Sequence, residues 1–377
     1  MPCSLQELSS THYSTVHSPI TIFIRLRESL VLKLDETAKL LSVLDGAVQT
    51  PPPIWLMRQA GRYLPEYRAC RAKAGSFWTM CMTPELAAEV TLQPIHRFGF
   101  DAAVLFSDIL VVPFALGRDV RFEDGVGPSL VPIDSVDGLE LDAVVWAERL
   151  GPVYEALKLV RSRLDRRIAL LGFAGAPWTL ATYMAEGKGS SDQRAAKLWG
   201  YRSPDSFSVL LNILGDCVAA HLIRQIEAGA NAVQIFDSWA NGLPASAFEN
   251  WIVAPTKRVV GKVRAVHPKA RIIGFPRAAT LQGYERYAAA TGVDAVSIDT
   301  AAPITWAVDK LGKNVAVQGN LDPLILLAGG HALAEAVDAL LTATRGTRFI
   351  FNLGHGVVPE VPVEHVAELV ARVRAAY

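Results

Sequence analysis

The chain has 377 residues, is 51% hydrophobic and 20% charged, and carries 37 Lys+Arg against 37 Asp+Glu. This is the composition of a globular protein with ample core, and the absence of net charge excludes a global field favouring nucleic acid or an acidic membrane. Cys3, Cys70, Cys81 and Cys217 show no paired spacing and point to a reducing compartment, and no apolar run approaches the ~20 residues of a bilayer span.

Residues 1–35 are Ser/Thr-rich to Ser18, then apolar with charges at Arg25, Arg27, Glu28 and Lys33. They read as a loosely ordered extension, with a transit-type leader as the alternative. Regular patterning starts near Lys39, so residues 36–377 are expected to form the folded domain.

A distinctive stretch follows at Pro51–Arg68. Three prolines lead into an apolar run, Ile54–Met57, and then Arg58 and Arg62 bracket Gly61. Between 58 and 73, five basic residues face Glu66 alone, a local excess of +4 on a neutral chain. Pro65 forbids a helix through 58–64, so Arg58 and Arg62 are expected on a loop. Arg68 and Arg71 are expected on the next helix, holding that loop in place. An arginine after a strand is most often ion-paired at the surface. Two of them around a glycine point instead to an anion, because the planar guanidinium pairs with carboxylate through two hydrogen bonds and keeps its charge.

Short apolar runs then alternate with helical patterns. The predicted strands are Ile54–Met57, Ala102–Phe106, Ile168–Phe173, Ala232–Phe236, Arg271–Phe275, Ala295–Ile298, Val315–Val317 and Arg348–Asn352. Helical patterns cover Pro84–Phe98, Asp142–Arg163, Ser206–Glu227, Ala245–Val266, Leu281–Ala289, Ile304–Leu311, Ala332–Thr342 and Val363–Ala375. Thr83 is expected to cap the helix that Pro84 opens, and Gly229 to follow the end of another. The excursion Val111–Pro128 reads as a loop or hairpin insertion. Eight continuous apolar strands alternating with helices predict an α/β fold, a single (β/α)8 TIM-type barrel with its active-site cleft at the C-terminal ends of the strands. No G-x-G-x-x-G follows a strand, which weighs against a dinucleotide fold.

Reading the predicted strand ends collects Arg58 and Arg62, Ser107 and Asp108, Gly172–Trp178 followed by Tyr183, Asp237-Ser238-Trp239, Arg277, Asp299, Gln318-Gly319-Asn320 and Gly354-His355-Gly356. Asp108, flanked by apolar residues, is either a structural cap or an acceptor aimed into the cup. The glycines beside His355 permit close approach of backbone to ligand. Motifs for zinc proteases, zinc deaminases, serine hydrolases and P-loops are missing, so neither a metal nor a nucleotide is expected.

Met57–Arg68, Phe106–Pro113, Gly172–Leu180, Gln318–Pro323 and Asn352–Gly356 together resemble the uroporphyrinogen decarboxylase family, in order and across about nine-tenths of the chain. The resemblance implies a homodimeric, cytoplasmic, cofactor-free enzyme of haem and chlorophyll biosynthesis. Its substrate would be uroporphyrinogen III, whose four acetates become methyls to give coproporphyrinogen III, with no nucleic-acid or membrane partner. It also implies site residues. Arg58 and Arg62 would pair with substrate carboxylates, within a binding stretch that includes Gln59, Ala60 and Gly61. Asp108 would face the pyrrole N–H groups, Tyr183 and Ser238 would hydrogen-bond side-chain carboxylates, and His355 would line the opposite side. Asp108, Arg58, Tyr183 and His355 would be the catalytic set. Gly274-Phe-Pro-Arg277 departs from a lysine-containing form in the family, which leaves the part played by Arg277 open.

Chemically, loss of CO₂ from an acetate leaves an electron pair that needs a sink. A pyrrole protonated at ring carbon is such a sink, so no external cofactor is required. The protein must stabilise that cation, hold a polyanion and supply a proton. Asp108 fits the first need and the arginines the second, while Tyr183, His355, a perturbed arginine or water could meet the third. Two other readings compete: a zinc- or corrinoid-type methyltransferase on the same barrel, and a non-catalytic tetrapyrrole-binding protein.

Overall fold

The alternation of apolar runs and amphipathic helices resolves as a parallel sheet wrapped by helices. The computed structural model describes residues 38–123 and 127–375; the expected extension, 1–35, lies outside them. Among the described residues the strands are β1 Ala102–Val104, β2 Val120–Glu123, β3 Gly127–Leu130, β4 Ala169–Gly175, β5 Ala232–Asp237, β6 Ile272–Pro276, β7 Ala295–Ser297, β8 Ala316–Leu321 and β9 Phe349–Leu353. Seven form one parallel sheet in the order β1-β4-β5-β6-β7-β8-β9, and β2 and β3 form the hairpin of the expected insertion. Helices cross between successive parallel strands, as parallel pairing demands, and the architecture is an α/β TIM-type barrel.

The expected first strand is the exception. Ile54–Met57 contributes a single parallel bridge, Ile54 to Phe351. Pro51–Pro53 have no N–H to donate, so a regular ladder cannot run through them. The seam between β9 and β1 is closed by other means. Phe351 N donates to Pro53 O at 2.9 Å, Trp55 N to Phe351 O at 3.3 Å, and Asp101 N to Ile54 O at 2.9 Å. The Asp101 carboxylate accepts from Ile54 N at 2.8 Å. Gln59 completes the join: its Oε1 accepts from Leu56 N at 3.2 Å and its Nε2 donates to Ala102 O at 3.1 Å. A side-chain amide does here what a strand backbone does elsewhere.

Side chains alternate along each strand. Ala102, Ala169, Leu171, Ala232, Ile273, Phe275, Ala295, Ala316 and Ile350 form one buried cluster inside the barrel, with Trp55 and Met57. The short helix Lys39–Leu44 belongs to the same cluster through Leu40, Leu41, Val43 and Leu44. The alternate positions, such as Ala103, Leu170, Val233, Val296 and Val317, pack into the larger cluster with the helices. A polar thread crosses the interior, where Trp55 Nε1 donates to Gln318 Oε1 at 3.0 Å and Gln318 Nε2 to Gln234 Oε1 at 3.1 Å.

Some local expectations need correction. The pattern Asp142–Arg163 is two helices, Ala143–Arg149 and Gly151–Arg163, divided before Gly151-Pro152. Thr83 makes no side-chain cap, although Pro84 does open its helix. Ala245–Val266 carries a π-turn at Glu249–Val253, just before Pro255, which cannot donate back to Trp251. An 18-residue window of the helix Pro204–Glu227 has a mean hydropathy of 1.6, so by length and composition this helix could cross a membrane, contrary to the expectation that no run would be long and apolar enough. Leu210, Leu214, Val218 and Leu222, spaced four apart, are wholly buried within the fold.

Candidate active site

The barrel brings the predicted residues to one end. Counting from the seam segment, position one leads to Arg58 and Arg62, β1 to Asp108, β4 to Tyr183 on the helix Pro177–Glu186, β5 to Ser238, β6 to Arg277, and β9 to His355. Arg58 adopts a left-handed backbone with φ 59°, rare for a residue with a Cβ and often found where a site requires it. Arg62 rides the same loop, which is held from behind as expected: Arg68 Nη1 donates to Arg62 O at 2.8 Å and to Tyr63 O at 3.2 Å.

The groups sense one another. Desolvation pulls the Arg58 guanidinium below its ordinary pKa, and the nearby Arg277 and Arg62 add to that, while Asp108 and Tyr183 oppose it. Its side chain still reaches solvent, so it lies on the inner wall of a concavity. Burial raises the Asp108 carboxyl, and a hydrogen bond from Leu110 N at 2.8 Å and the charge of Arg58 resist that rise. Burial and then the charge of Asp108 raise the Tyr183 phenol, which therefore keeps its proton. His355 is pushed down to about 3 by burial and then by Arg58 and Arg277. Its Nδ1 accepts from Gly356 N at 2.7 Å, so the neutral ring carries its proton on Nε2.

Not every predicted residue is free for a ligand. Gln59 is fully buried, its amide is engaged in the seam, and its carbonyl accepts from Tyr63 Oη at 2.7 Å. It shapes the loop from behind. Among the described residues, the amides of Ala60, Gly61 and Arg62 meet no backbone acceptor. Ser238 is half-buried beside Trp239, whose ring centroid lies 6.2 Å from that of Tyr183. Asp299 and Asn320 tie loops together: Asn320 Nδ2 donates to Asp299 O at 2.8 Å and to Ala302 O at 2.7 Å, and the Asp299 carboxylate accepts from Ala301 N at 3.0 Å.

Two residues were missed. Phe173 and Phe236 are half-buried, packed edge to face at 5.6 Å, and continue the inward-facing rows of β4 and β5 at the mouth. Strand alternation was the available signal. They provide an apolar surface beneath the charged rim.

The charge balance sets this end of the barrel apart. Many arginines elsewhere find acids, as Arg97 does Glu66, Arg264 Asp294, Arg271 Asp45 and Arg286 Glu249, and others, such as Arg149, Arg161 and Arg348, donate to backbone carbonyls. Among the described residues Arg58, Arg62 and Arg277 have no such ion pair, and Asp108 is the carboxylate whose charge Arg58 feels. No three His, Cys, Asp or Glu side chains among the described residues gather in a way that could hold a metal ion.

Comparison with known proteins adds to this geometry. Residues 35–376 match the family model described as Uroporphyrinogen decarboxylase (URO-D). Proteins called uroporphyrinogen decarboxylase from Brucella canis and Brucella suis are each 55% identical over 336 residues, spanning 89% of this chain and 98% of theirs. Among solved structures, a methyltransferase from Methanosarcina mazei superposes with a TM-score of 0.74 at 19% identity, over 89% of this chain and 97% of that one. A B12-independent methionine synthase from a Shewanella species reaches a TM-score of 0.52 at 13% identity, over 78% and 86%. These last two likenesses concern the fold alone.

Proposed function

The chain belongs to the uroporphyrinogen decarboxylase family, and from that premise we propose that the mouth of its barrel binds uroporphyrinogen and removes its four acetate carboxyl groups as CO₂. The enzyme is a carboxy-lyase of porphyrin biosynthesis. The observation that carries the reading at this site is the set of guanidinium groups without ion-pair partners among the described residues, gathered about one carboxylate above a phenylalanine floor. Like charges repel at close range in a partly dry cleft, so the arrangement is satisfied by a polyanion that brings its own carboxylates.

The substrate fits on both counts. Its four pyrroles, joined through saturated methylene bridges into a puckered ring, present an apolar surface that can pack on Phe173 and Phe236, and its rim is anionic. Arg58 and Arg62 pair with side-chain carboxylates, assisted by the free amides at Ala60–Arg62. Hydrogen bonds to charged groups contribute about 1.5–3 kcal/mol each, so two or three anchors account for binding in the micromolar class. Tyr183 and His355 act as neutral donors, the first because its phenol keeps its proton and the second because its ring stays uncharged at neutral pH. Ser238 completes that side.

Decarboxylation leaves an electron pair on the methylene carbon, and the pyrrole, protonated at ring carbon, accepts it. A proton then added at the methylene carbon makes the methyl group while the ring carbon gives up its proton and the pyrrole is restored, so that one proton replaces each CO₂. Asp108 stabilises that cation. A fixed charge aimed where opposite charge develops is worth most in a site from which water is largely excluded. The substrate thus supplies its own electron sink, and the reading needs no cofactor. It includes the homodimer and the cytoplasmic setting that the family resemblance implies.

The test is anaerobic incubation with uroporphyrinogen, followed by oxidation and chromatography of the porphyrins. Four-carboxylate product is expected. Binding with the eight-carboxylate species left intact would mark a binding protein and end the catalytic reading.

A further inference from the structure

We propose that Arg277 is a third carboxylate-binding guanidinium of this cup, reaching in from the wall opposite the Arg58–Arg62 loop. This rests on the reading of the mouth as a polycarboxylate site. Sheet order sets the placement. Counting the seam segment as position one, β6 is the fifth of eight positions, diametrically across the ring. Ile273 and Phe275 point into the barrel, and Arg277 continues that inward row at the strand's end. Its amide is pinned to the neighbouring strand, donating to Asp237 O at 3.0 Å. Ala278 then takes a left-handed φ of 59° and turns the chain away, leaving Arg277 as the last residue of the wall.

The nearby acids are otherwise engaged. Asp237 turns its carboxylate to Thr179, whose Oγ1 donates to it at 2.6 Å, and Asp299 accepts from Ala301 N. Arg277 is half-buried and makes no ion pair among the described residues. Its charge depresses both Arg58 and His355, as expected of a guanidinium that shares their cavity. A second cationic wall gives the cup a way to count carboxylates. A ligand anchored at both walls is held more firmly than one whose acetates have become methyls, so Arg277 favours substrate over product.

The experiment compares the wild type with Arg277→Gln and Arg277→Lys. Binding of an eight-carboxylate porphyrin is measured by fluorescence quenching at low and high salt, and turnover on uroporphyrinogen is measured in parallel. Arg277→Gln is expected to weaken binding and raise KM by roughly tenfold or more, with kcat changed far less. Arg277→Lys should recover most of the loss. The salt dependence of binding should flatten in the glutamine variant, and the His355 ring, followed by NMR, should titrate at higher pH than in the wild type. If wild type binds but Arg277→Gln binds equally well, the Arg277 assignment fails while the site reading stands. The assignment also fails if kcat alone falls, or if the lysine variant recovers nothing. If the wild type neither binds the porphyrin nor turns over uroporphyrinogen, the site reading fails with it.

Discussion

The side chain of Arg58 lies directly over the α-carbon of Gly356, so that a Cβ built on the glycine would collide with Cδ of the arginine. The two residues are almost 300 positions apart, yet the glycine of the last strand-end turn makes the room in which the first strand-end arginine rests. Gly356→Ala should therefore displace Arg58 from its carboxylate partner. A loss of one charge-assisted contact predicts a rise in KM of roughly 10- to 100-fold, with little change in melting temperature. An unchanged KM would show that Arg58 can bind from another position.

Asp108 is expected to serve the reaction more than the affinity. Asp108→Asn should lower kcat by about 10²–10³ and leave binding of the porphyrin equal or tighter, since a negative charge has left an anion site. Burial raises its pKa, so the ionised form is lost, as pH falls, sooner than for an ordinary aspartate. The acid limb of the kcat profile should lie above pH 3.8 and be absent from the variant. A variant with wild-type turnover would remove Asp108 from the mechanism.

Gln59 tests the seam. Gln59→Glu keeps an acceptor for Leu56 N but loses the donor to Ala102 O, leaving a carboxylate against a carbonyl in a buried join. Destabilisation of about 1–3 kcal/mol is expected, read by chemical denaturation, together with weaker substrate binding through the loosened Arg58 loop. Full stability in this variant would mean that the backbone bonds at Pro53–Trp55 close the barrel unaided.

Asp237 should shape the pH dependence of stability. It is fully buried, Thr179 bonds one of its oxygens, and burial raises its pKa from 3.8 to about 7. The native state then holds a proton that the unfolded chain releases. Its contribution therefore falls as pH rises from about 4 to about 7, and is level above that. Asp237→Asn should abolish this fall and gain on the order of a few kcal/mol relative to wild type at pH 8, with little difference at pH 4. Parallel stability curves for the two proteins would contradict it.

Much of this protein could be read from local rules. Apolar runs of three to six residues found seven strands, because a strand buried on both faces is written in consecutive side chains. Pro65 placed Arg58 and Arg62 on a loop and Arg68 behind it, since proline acts on its immediate neighbours. The strand-end rule then collected Asp108, Tyr183, Ser238 and His355 at one mouth. Other features depend on distance through space. Ile54–Met57 reads as a strand, yet it is only a bridge, and the closure rests on Gln59 reaching Ala102 and Asp101 reaching Ile54. The family resemblance places Gln59 in the binding stretch, and the fold turns its side-chain amide inward to the seam. Which arginines lack acids is likewise a tertiary fact: Arg97 and Arg277 look alike in a sequence, but Glu66 meets the first, while the second stands at the barrel mouth without an ion pair among the described residues. Sequence alone determined the seven strands of the sheet and the family. The tertiary structure decided which charged groups remain unneutralised, because ion pairing depends on distances of a few ångströms between residues tens or hundreds of positions apart.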